Sequence, residues 1–159
     1  MVSEIEAREI TYFNVNELLR LAVRDDQAHL VARNSVTIAQ ASYMPNCWLR
    51  GLWLADDAIG LMAMIDIHGD HPEVNDFTPA NVAFLWRLMI DASHQGHGYG
   101  SQAIDLAFEQ ARRWRRAALY LSVAQGDGNA LSFYQRFGLE PTGEVDGDEL
   151  VLKGSVLAN

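Results

Sequence analysis

The chain has 159 residues, 49% of them apolar and 21% charged, which suits one folded domain with a single core and excludes a disordered or fibrous chain. Twelve basic against 21 acidic residues give a net charge of −9, a surface that repels nucleic acid and anionic membranes and attracts cations. A single cysteine, Cys47, leaves no partner for a disulfide and no thiolate metal cluster; between Pro45 and Trp48 it reads as a small packed residue.

In chain order, the opening MVSEIEAREI is acidic and lacks the basic end and apolar stretch of a signal peptide. No apolar run reaches the roughly 18–20 residues that cross a bilayer. A cytoplasmic protein is therefore expected. Residues 4–12 alternate and read as a first strand. Asn14 is placed to cap a helix carrying Val15, Leu18, Leu19 and Ala22, and a second helix is expected over about 27–42, stopping before Pro45. Residues 48–55 and 58–67 flank Asp56–Asp57 as an antiparallel hairpin, and the polar loop His68–Asn81 follows. The near-continuous apolar run 82–90 predicts a central strand buried on both faces.

The second half alternates strand and helix. Residues 98–115 predict a helix with Ile104, Ala107, Phe108 and Ala111 on one face, and Arg112, Arg113, Arg115 and Arg116 crowd its C-terminal end, where the helix dipole favours cations. A strand at 118–124, a short helix near 129–137 and two strands near 139–145 and 149–153 complete the pattern. Strand–helix–strand alternation confined to this half predicts a mixed sheet with one parallel pair.

Charge is unevenly spread. Between Arg50 and Arg87 there is no Lys or Arg, yet Asp56, Asp57, Asp66, Asp70, Glu73 and Asp76 fall there. From Phe137 to Leu152 stand Glu140, Glu144, Asp146, Asp148 and Glu149, again with no basic residue. A solubilising surface and a cationic substrate both account for this. The five histidines have no metal-ligand spacing with acid partners, so no metal is expected.

The strongest local signal lies at Leu88–Ser101, where an apolar strand runs into glycines at alternate positions, Gly96, Gly98 and Gly100, and then into a helix. Glycine lets the backbone curl and approach a ligand, and the first-turn N–H groups of the helix face the same concavity, so a phosphate or pyrophosphate fits. No Lys-Ser/Thr pair follows, which excludes a P-loop, and the glycine spacing is not that of a dinucleotide fingerprint. The turn resembles the Gln/Arg-x-x-Gly-x-Gly/Ala segment of the GNAT N-acetyltransferases, met by Gln95, Gly98 and Gly100. The surrounding Trp86-Arg-Leu-Met-Ile-Asp91, and Pro141–Val151 near the end, look like the bacterial spermine/spermidine acetyltransferases of that superfamily. Gly128-Asn129-Ala-Leu-Ser-Phe133-Tyr134-Gln-Arg-Phe-Gly138-Leu139 is similar to the family's Asn…(Phe/Leu)-Tyr-x-x-x-Gly-Phe segment, with a shorter Asn-to-Tyr interval and Leu139 in the Phe place. These motifs occupy residues 84–153, and residues 1–47 match none.

The resemblance implies a mixed α+β fold as one domain over 1–159. It has a central sheet of six or seven strands, splayed between the fourth and fifth, and about four helices. It implies acetyl-CoA as donor. The backbone of Leu88, Met89 and Ile90 would pair with the pantetheine arm, and Gln95, Gly96, His97, Gly98, Tyr99, Gly100 and Ser101 would hold the pyrophosphate. Asn129, Phe133 and Tyr134 would complete the cofactor site. A backbone N–H near Met89 would stabilise charge on the thioester oxygen, and Tyr134 would protonate the leaving thiolate. Read from the residues alone, Phe133, Tyr134 and Phe137 are equally compatible with core packing, and Asn129 with a helix start. A protonated amine must lose a proton before attack. Phe84, Leu85 and Trp86 lack the carboxylate that relatives often keep there. Asp66, Asp91 or Glu149, through water, are the candidates, and the sequence does not choose among them. The expected acceptor is a primary amine, a polyamine foremost, with an aminoglycoside or a protein N-terminus as alternatives and a homodimer as the expected assembly. A non-catalytic acyl-CoA sensor is the rival from another class, and a nucleotide-binding protein a third.

Overall fold

The computed structural model describes residues 3–157. Its most buried strand is β3 (Asp57–Ile67), where Ile59, Leu61, Met62, Ala63, Met64, Ile65 and Ile67 are all nearly inaccessible to water. Such a run, apolar on both faces, belongs in the interior of a sheet. β2 (Cys47–Leu54) precedes it, and β1 (Ile5–Glu9) lies antiparallel on β2 with Ile5 opposite Leu54 and Glu9 opposite Arg50. β4 (Val82–Ile90), β5 (Ala118–Ala124), β6 (Glu140–Asp146) and β7 (Glu149–Ser155) complete a seven-stranded sheet of order β1-β2-β3-β4-β5-β7-β6. β4 and β5 are its parallel pair, registered at Ala83–Leu119 and Phe84–Tyr120. β7 runs antiparallel to both β5 and β6. The helices are α1 (Val15–Leu19), α2 (Asn34–Ala41), α3 (Tyr99–Arg113) and α4 (Gly128–Gln135). The mixed α+β class, the strand number and the four helices agree with the expectation.

By contact density the chain divides into two units, Met1–Met64 with Arg87–Leu106, and Ile65–Trp86 with Ala107–Asn159. In the first, the β2–β3 hairpin depends on glycines for room. A Cβ on Gly60 would lie 2.5 Å from the Met89 carbonyl oxygen, and one on Gly51 would lie 2.9 Å from both Leu18 and the Trp53 indole nitrogen. In the second, Gly154 of β7 plays the same part beneath Leu139 and Phe108. Asp66 of β3 receives a two-pronged bond from Arg116, Nε to Oδ1 at 2.7 Å and Nη2 to Oδ2 at 3.2 Å. The forked guanidinium suits a carboxylate, and this pair is well shielded from water.

Several local expectations are corrected. Asn14 stands at the N-cap position of α1, as expected, but its side chain does not cap it: Oδ1 accepts from Thr11 N–H and Nδ2 donates to the Glu9 carbonyl, closing the turn out of β1. The second helix starts at Asn34 rather than near 27. Residues 25–27 form one 3₁₀ turn, and Arg33 stands in extended backbone (φ −60°, ψ 150°), so the helix starts only at Asn34, which is buried with its Nδ2 on the Leu18 carbonyl. The hairpin turns at Ala55–Asp56, one residue early, with Ala55 at φ +52°. β4 is not buried throughout. Phe84, Trp86, Arg87, Leu88 and Ile90 are partly exposed, and Arg87 reaches Thr37 Oγ1 and Gln40 Oε1 at 3.0 and 3.1 Å. In the arginine cluster, Arg113 pairs with Glu109 and Arg116 with Asp66.

Candidate active site

Leu88, Met89 and Ile90 end β4, and Asp91 caps the 3₁₀ turn Ala92–His94 that leads to the glycines. Gly96 and Gly98 stand at φ +80° and +83°, the left-handed region that a side chain resists, and a Cβ on either would meet nothing within 4 Å. Glycine is required here for backbone direction, and the space above the turn is open. α3 opens with the Gln102 N–H on the Gly98 carbonyl at 3.2 Å. The N–H groups of Tyr99, Gly100 and Ser101 precede that bond and have no acceptor within the helix. Fifteen residues of α3 add a positive dipole end at the same place. The His97 and Tyr99 rings lie 6.0 Å apart beside it.

The turn is held by side chains. Gln95 Nε2 donates to the Ile90 carbonyl at 3.0 Å and to Gln27 Oε1 at 2.9 Å. Asp91 accepts from the N–H groups of Ala22 and Ser93 and makes a short bond with Ser93 Oγ, with the His94 ring 3.6 Å away. Partial burial pushes the Asp91 carboxyl up, and the hydrogen bonds from Ser93, Ala22 and His94 outweigh it, leaving its pKa below the ordinary value. Such a carboxylate holds a turn well and accepts a proton poorly. Met89 is buried, its sulfur receiving Asn34 Nδ2 at 3.6 Å and its carbonyl oxygen lying against Gly60.

The second group of expected residues lies in the other unit. Asp127 caps α4 by accepting from the Ala130 N–H at 3.1 Å, and Asn129 is an exposed first-turn residue. Phe133 packs edge-on against Tyr134 with centroids 5.2 Å apart and against Phe137 at 5.3 Å. Burial pushes the Tyr134 phenol up to about 12, and the Asp127 carboxylate adds to the rise. Tyr134 keeps its proton at neutral pH, as an ordinary phenol does, and holds it to higher pH than one. Glu149, at the start of β7, accepts from Ser122 Oγ at 2.6 Å. Of the three carboxylates considered, Asp66 is tied by an arginine and Asp91 by a turn, whereas Glu149 is engaged by one neutral hydroxyl. Asp127 and Gln27 went unnoticed in the sequence. Asp127 stands three residues before a helical N–H, an N-cap signature that could have revealed it; Gln27 carries no such signal. Burial pushes the Cys47 thiol up, away from the reactive thiolate.

The profile of the acetyltransferase (GNAT) family matches residues 13–139. The chain belongs to that family. The spermine/spermidine N(1)-acetyltransferase of Bacillus subtilis is 26% identical over 152 residues, covering 94% of this chain and 97% of that protein. Among solved structures, an acetyltransferase from Thermus thermophilus superposes with a TM-score of 0.75 at 19% identity, covering 97% of this GNAT chain and 98% of its own. The PaiA N-acetyltransferase from Thermoplasma acidophilum, in complex with coenzyme A, gives 0.68 at 15% identity, covering 96% and 99%. These two likenesses establish the fold. Among the described residues, no helix is long and apolar enough to cross a membrane, and no group of three or more His, Cys, Asp or Glu could hold a metal ion.

Proposed function

We propose that this chain, acting as one catalytic domain over 1–159, moves an acetyl group from acetyl-CoA to a primary amine of a small polycation, spermidine or spermine being the first acceptors to test. The observation that carries the reading is the open, glycine-built turn at the N-terminus of α3 in a chain of the GNAT family. A bulky anion fits there: the two left-handed glycines leave the space free, and helix N–H groups are in surplus. Gln95–Ser101 would hold the pyrophosphate, the backbone of Leu88, Met89 and Ile90 the pantetheine arm, and Asn129 and Phe133 the remaining contacts. The bound group supplies a thioester acetyl. A backbone N–H near Met89 is assigned to the carbonyl oxygen, where charge develops. Tyr134 is assigned as proton donor to the leaving thiolate, since a phenol carries its proton at neutral pH and has one to give. Glu149 is assigned to the acceptor, drawing the cationic amine or taking its proton through water.

Support for a polycation comes from the Bacillus relative, named as a spermine/spermidine acetyltransferase, and from the net charge of −9. The acidic residues of β6 are weaker support, because they have another task. β6 is an edge strand, exposed at every position, and its Glu140, Pro141, Glu144 and Asp146 with a register shift are what discourages edge-to-edge pairing. A cytoplasmic setting and a homodimer belong to the same proposal, the latter open to light scattering.

The test is a screen of CoA release from acetyl-CoA with spermidine, spermine, aminoglycosides, amino acids and peptides with free N-termini. For spermidine, KM should rise steeply with ionic strength, because exposed charges are screened within about 10 Å at 0.1 M salt. A salt-independent KM, or no turnover of any polyamine, overturns the acceptor assignment. CoA binding with no turnover of any amine would favour the non-catalytic sensor.

A further inference from the structure

We infer that Gln27, in a segment without any recognisable motif, is a positioning residue for the pyrophosphate turn and acts through Gln95. The inference rests on the reading that Gln95–Ser101 holds CoA. Glycines at 96 and 98 allow the backbone to take left-handed angles but supply no rigidity, since glycine has more conformational freedom to lose than any other residue. A site made of backbone N–H groups binds well only if their directions are set beforehand. Rigidity must come from flanking residues, and Gln95 is the last side chain before the glycines.

The Gln95 amide group is gripped from two sides, by the Ile90 carbonyl and by Gln27 Oε1, at 3.0 and 2.9 Å. Gln27 is itself held in place: its Oε1 accepts from the Arg24 N–H at 3.3 Å, and its own N–H donates to the Arg24 carbonyl at 2.8 Å. The start of the turn is fastened to the same segment. The Ala22 N–H donates to Asp91 Oδ1 at 3.0 Å, and the Ala92 N–H donates to the Ala22 carbonyl at 2.8 Å. Residues 22–27 thus clamp both ends of 91–95 from almost seventy positions away in sequence. Ala22 and Ala92 contribute backbone bonds that most substitutions would leave intact. Gln27 is the member whose contribution resides in its side chain.

The experiment replaces Gln27 with Met, which keeps the length and removes the acceptor, and with Ser as a second variant; thermal melts verify that each is folded. CoA affinity by calorimetry should fall about 3- to 10-fold, the worth of one hydrogen bond of this kind. kcat/KM for acetyl-CoA should fall alike, while kcat/KM for S-acetylpantetheine, which lacks the pyrophosphate, should stay within about twofold. Adding Gln27→Met to Gln95→Met should cost nothing further, because the two act as one unit. Equal losses with both donors would mean a general structural role, and an unchanged CoA affinity would mean none; either overturns the inference. Gly98→Glu serves as the control. If that variant binds CoA normally, the reading of the turn has failed; if it binds weakly while Gln27→Met binds normally, only the role of Gln27 has.

Discussion

The turn at 95–101 and the helix at 128–135 represent opposite ways of making a functional site. In the first, side chains are withdrawn: two left-handed glycines face open space, and the groups on offer are backbone N–H donors at a helix start. In the second, the backbone is ordinary helix, and the feature of interest is one phenol made reluctant to ionise by its surroundings. A backbone site is sensitive to any added Cβ and tolerant of which atoms surround it. A side-chain site is sensitive to the loss of a single oxygen and tolerant of much else. If the two are assigned correctly, substitutions in each should have separable effects.

Tyr134→Phe should have the largest effect. It keeps the ring that packs on Phe133 and removes the oxygen. Turnover should fall by roughly 10²-fold or more, with CoA affinity within about twofold on the same preparation. Losses of a few-fold in both would mean that Tyr134 is a packing residue and that the contrast fails. Gly98→Glu is the reciprocal substitution. It forces a side chain into a left-handed position and sets a carboxylate at the anion site. CoA affinity measured calorimetrically should fall at least tenfold, about 1.4 kcal/mol, without global unfolding. Unchanged affinity in a folded variant would remove the turn from the cofactor site.

That contrast also explains what was legible in the sequence. Glycine spacing, strand alternation and the family-like Phe133-Tyr134 pair are local patterns, and the sheet, its parallel pair, α3 and both regions could be read from them. Long-range partners could not. Nothing around Asp66 announces Arg116, fifty positions on, and nothing around Asp91 announces the Ala22 amide. Asp66 and Asp91 looked as suitable as Glu149 for proton transfer because a carboxylate's availability depends on what it already holds. The side-chain cap expected of Asn14 and the first residues of the expected second helix failed for a related reason. Helix propensity is a weak prior: the Asn14 side chain bonds to the end of β1 instead of to the helix, and extended backbone at Arg33 delays the second helix to Asn34.

A third, smaller effect concerns pH. Tyr134 has a pKa of about 12 in the folded chain against about 10 for an ordinary phenol. Its contribution to stability is therefore complete below pH 10 and is lost as pH rises from 10 through 12. The pH–rate profile should show no Tyr134 limb below about pH 11. Asp127→Asn removes the lesser of the two causes while keeping an N-cap acceptor for the Ala130 N–H. The late-titrating tyrosine in an ultraviolet titration should then move to lower pH, and a curve identical to the parent's would separate Asp127 from Tyr134.

The smallest effect is expected at the other end of α3, where the backbone rule is broken. The helix closes with the Arg115 N–H on the Arg112 carbonyl at 2.9 Å and the Arg116 N–H on the Ala111 carbonyl at 3.0 Å, the paired bonds of a Schellman motif. That motif places one residue in the left-handed region, and glycine usually fills it. Here it is Arg115, exposed and at φ +58°. Left-handed backbone costs a non-glycine residue of order 1 kcal/mol or more, and part of that is offset because glycine has more freedom to lose on folding. Arg115→Gly should therefore stabilise the chain by about 0.5–1 kcal/mol, raising Tm by about 1–4 °C for a chain of this length. Arg116 keeps its bond to Asp66 in that variant, so no ion pair confuses the comparison. The substitution also separates conformation from ligand. At Gly98 a side chain should impair CoA binding as well as strain the backbone, whereas at Arg115 removal of the side chain should change Tm alone. A fall in Tm would show that the Arg115 side chain contributes more than its backbone strain costs, and a change in CoA affinity would show that the two ends of α3 do not act independently.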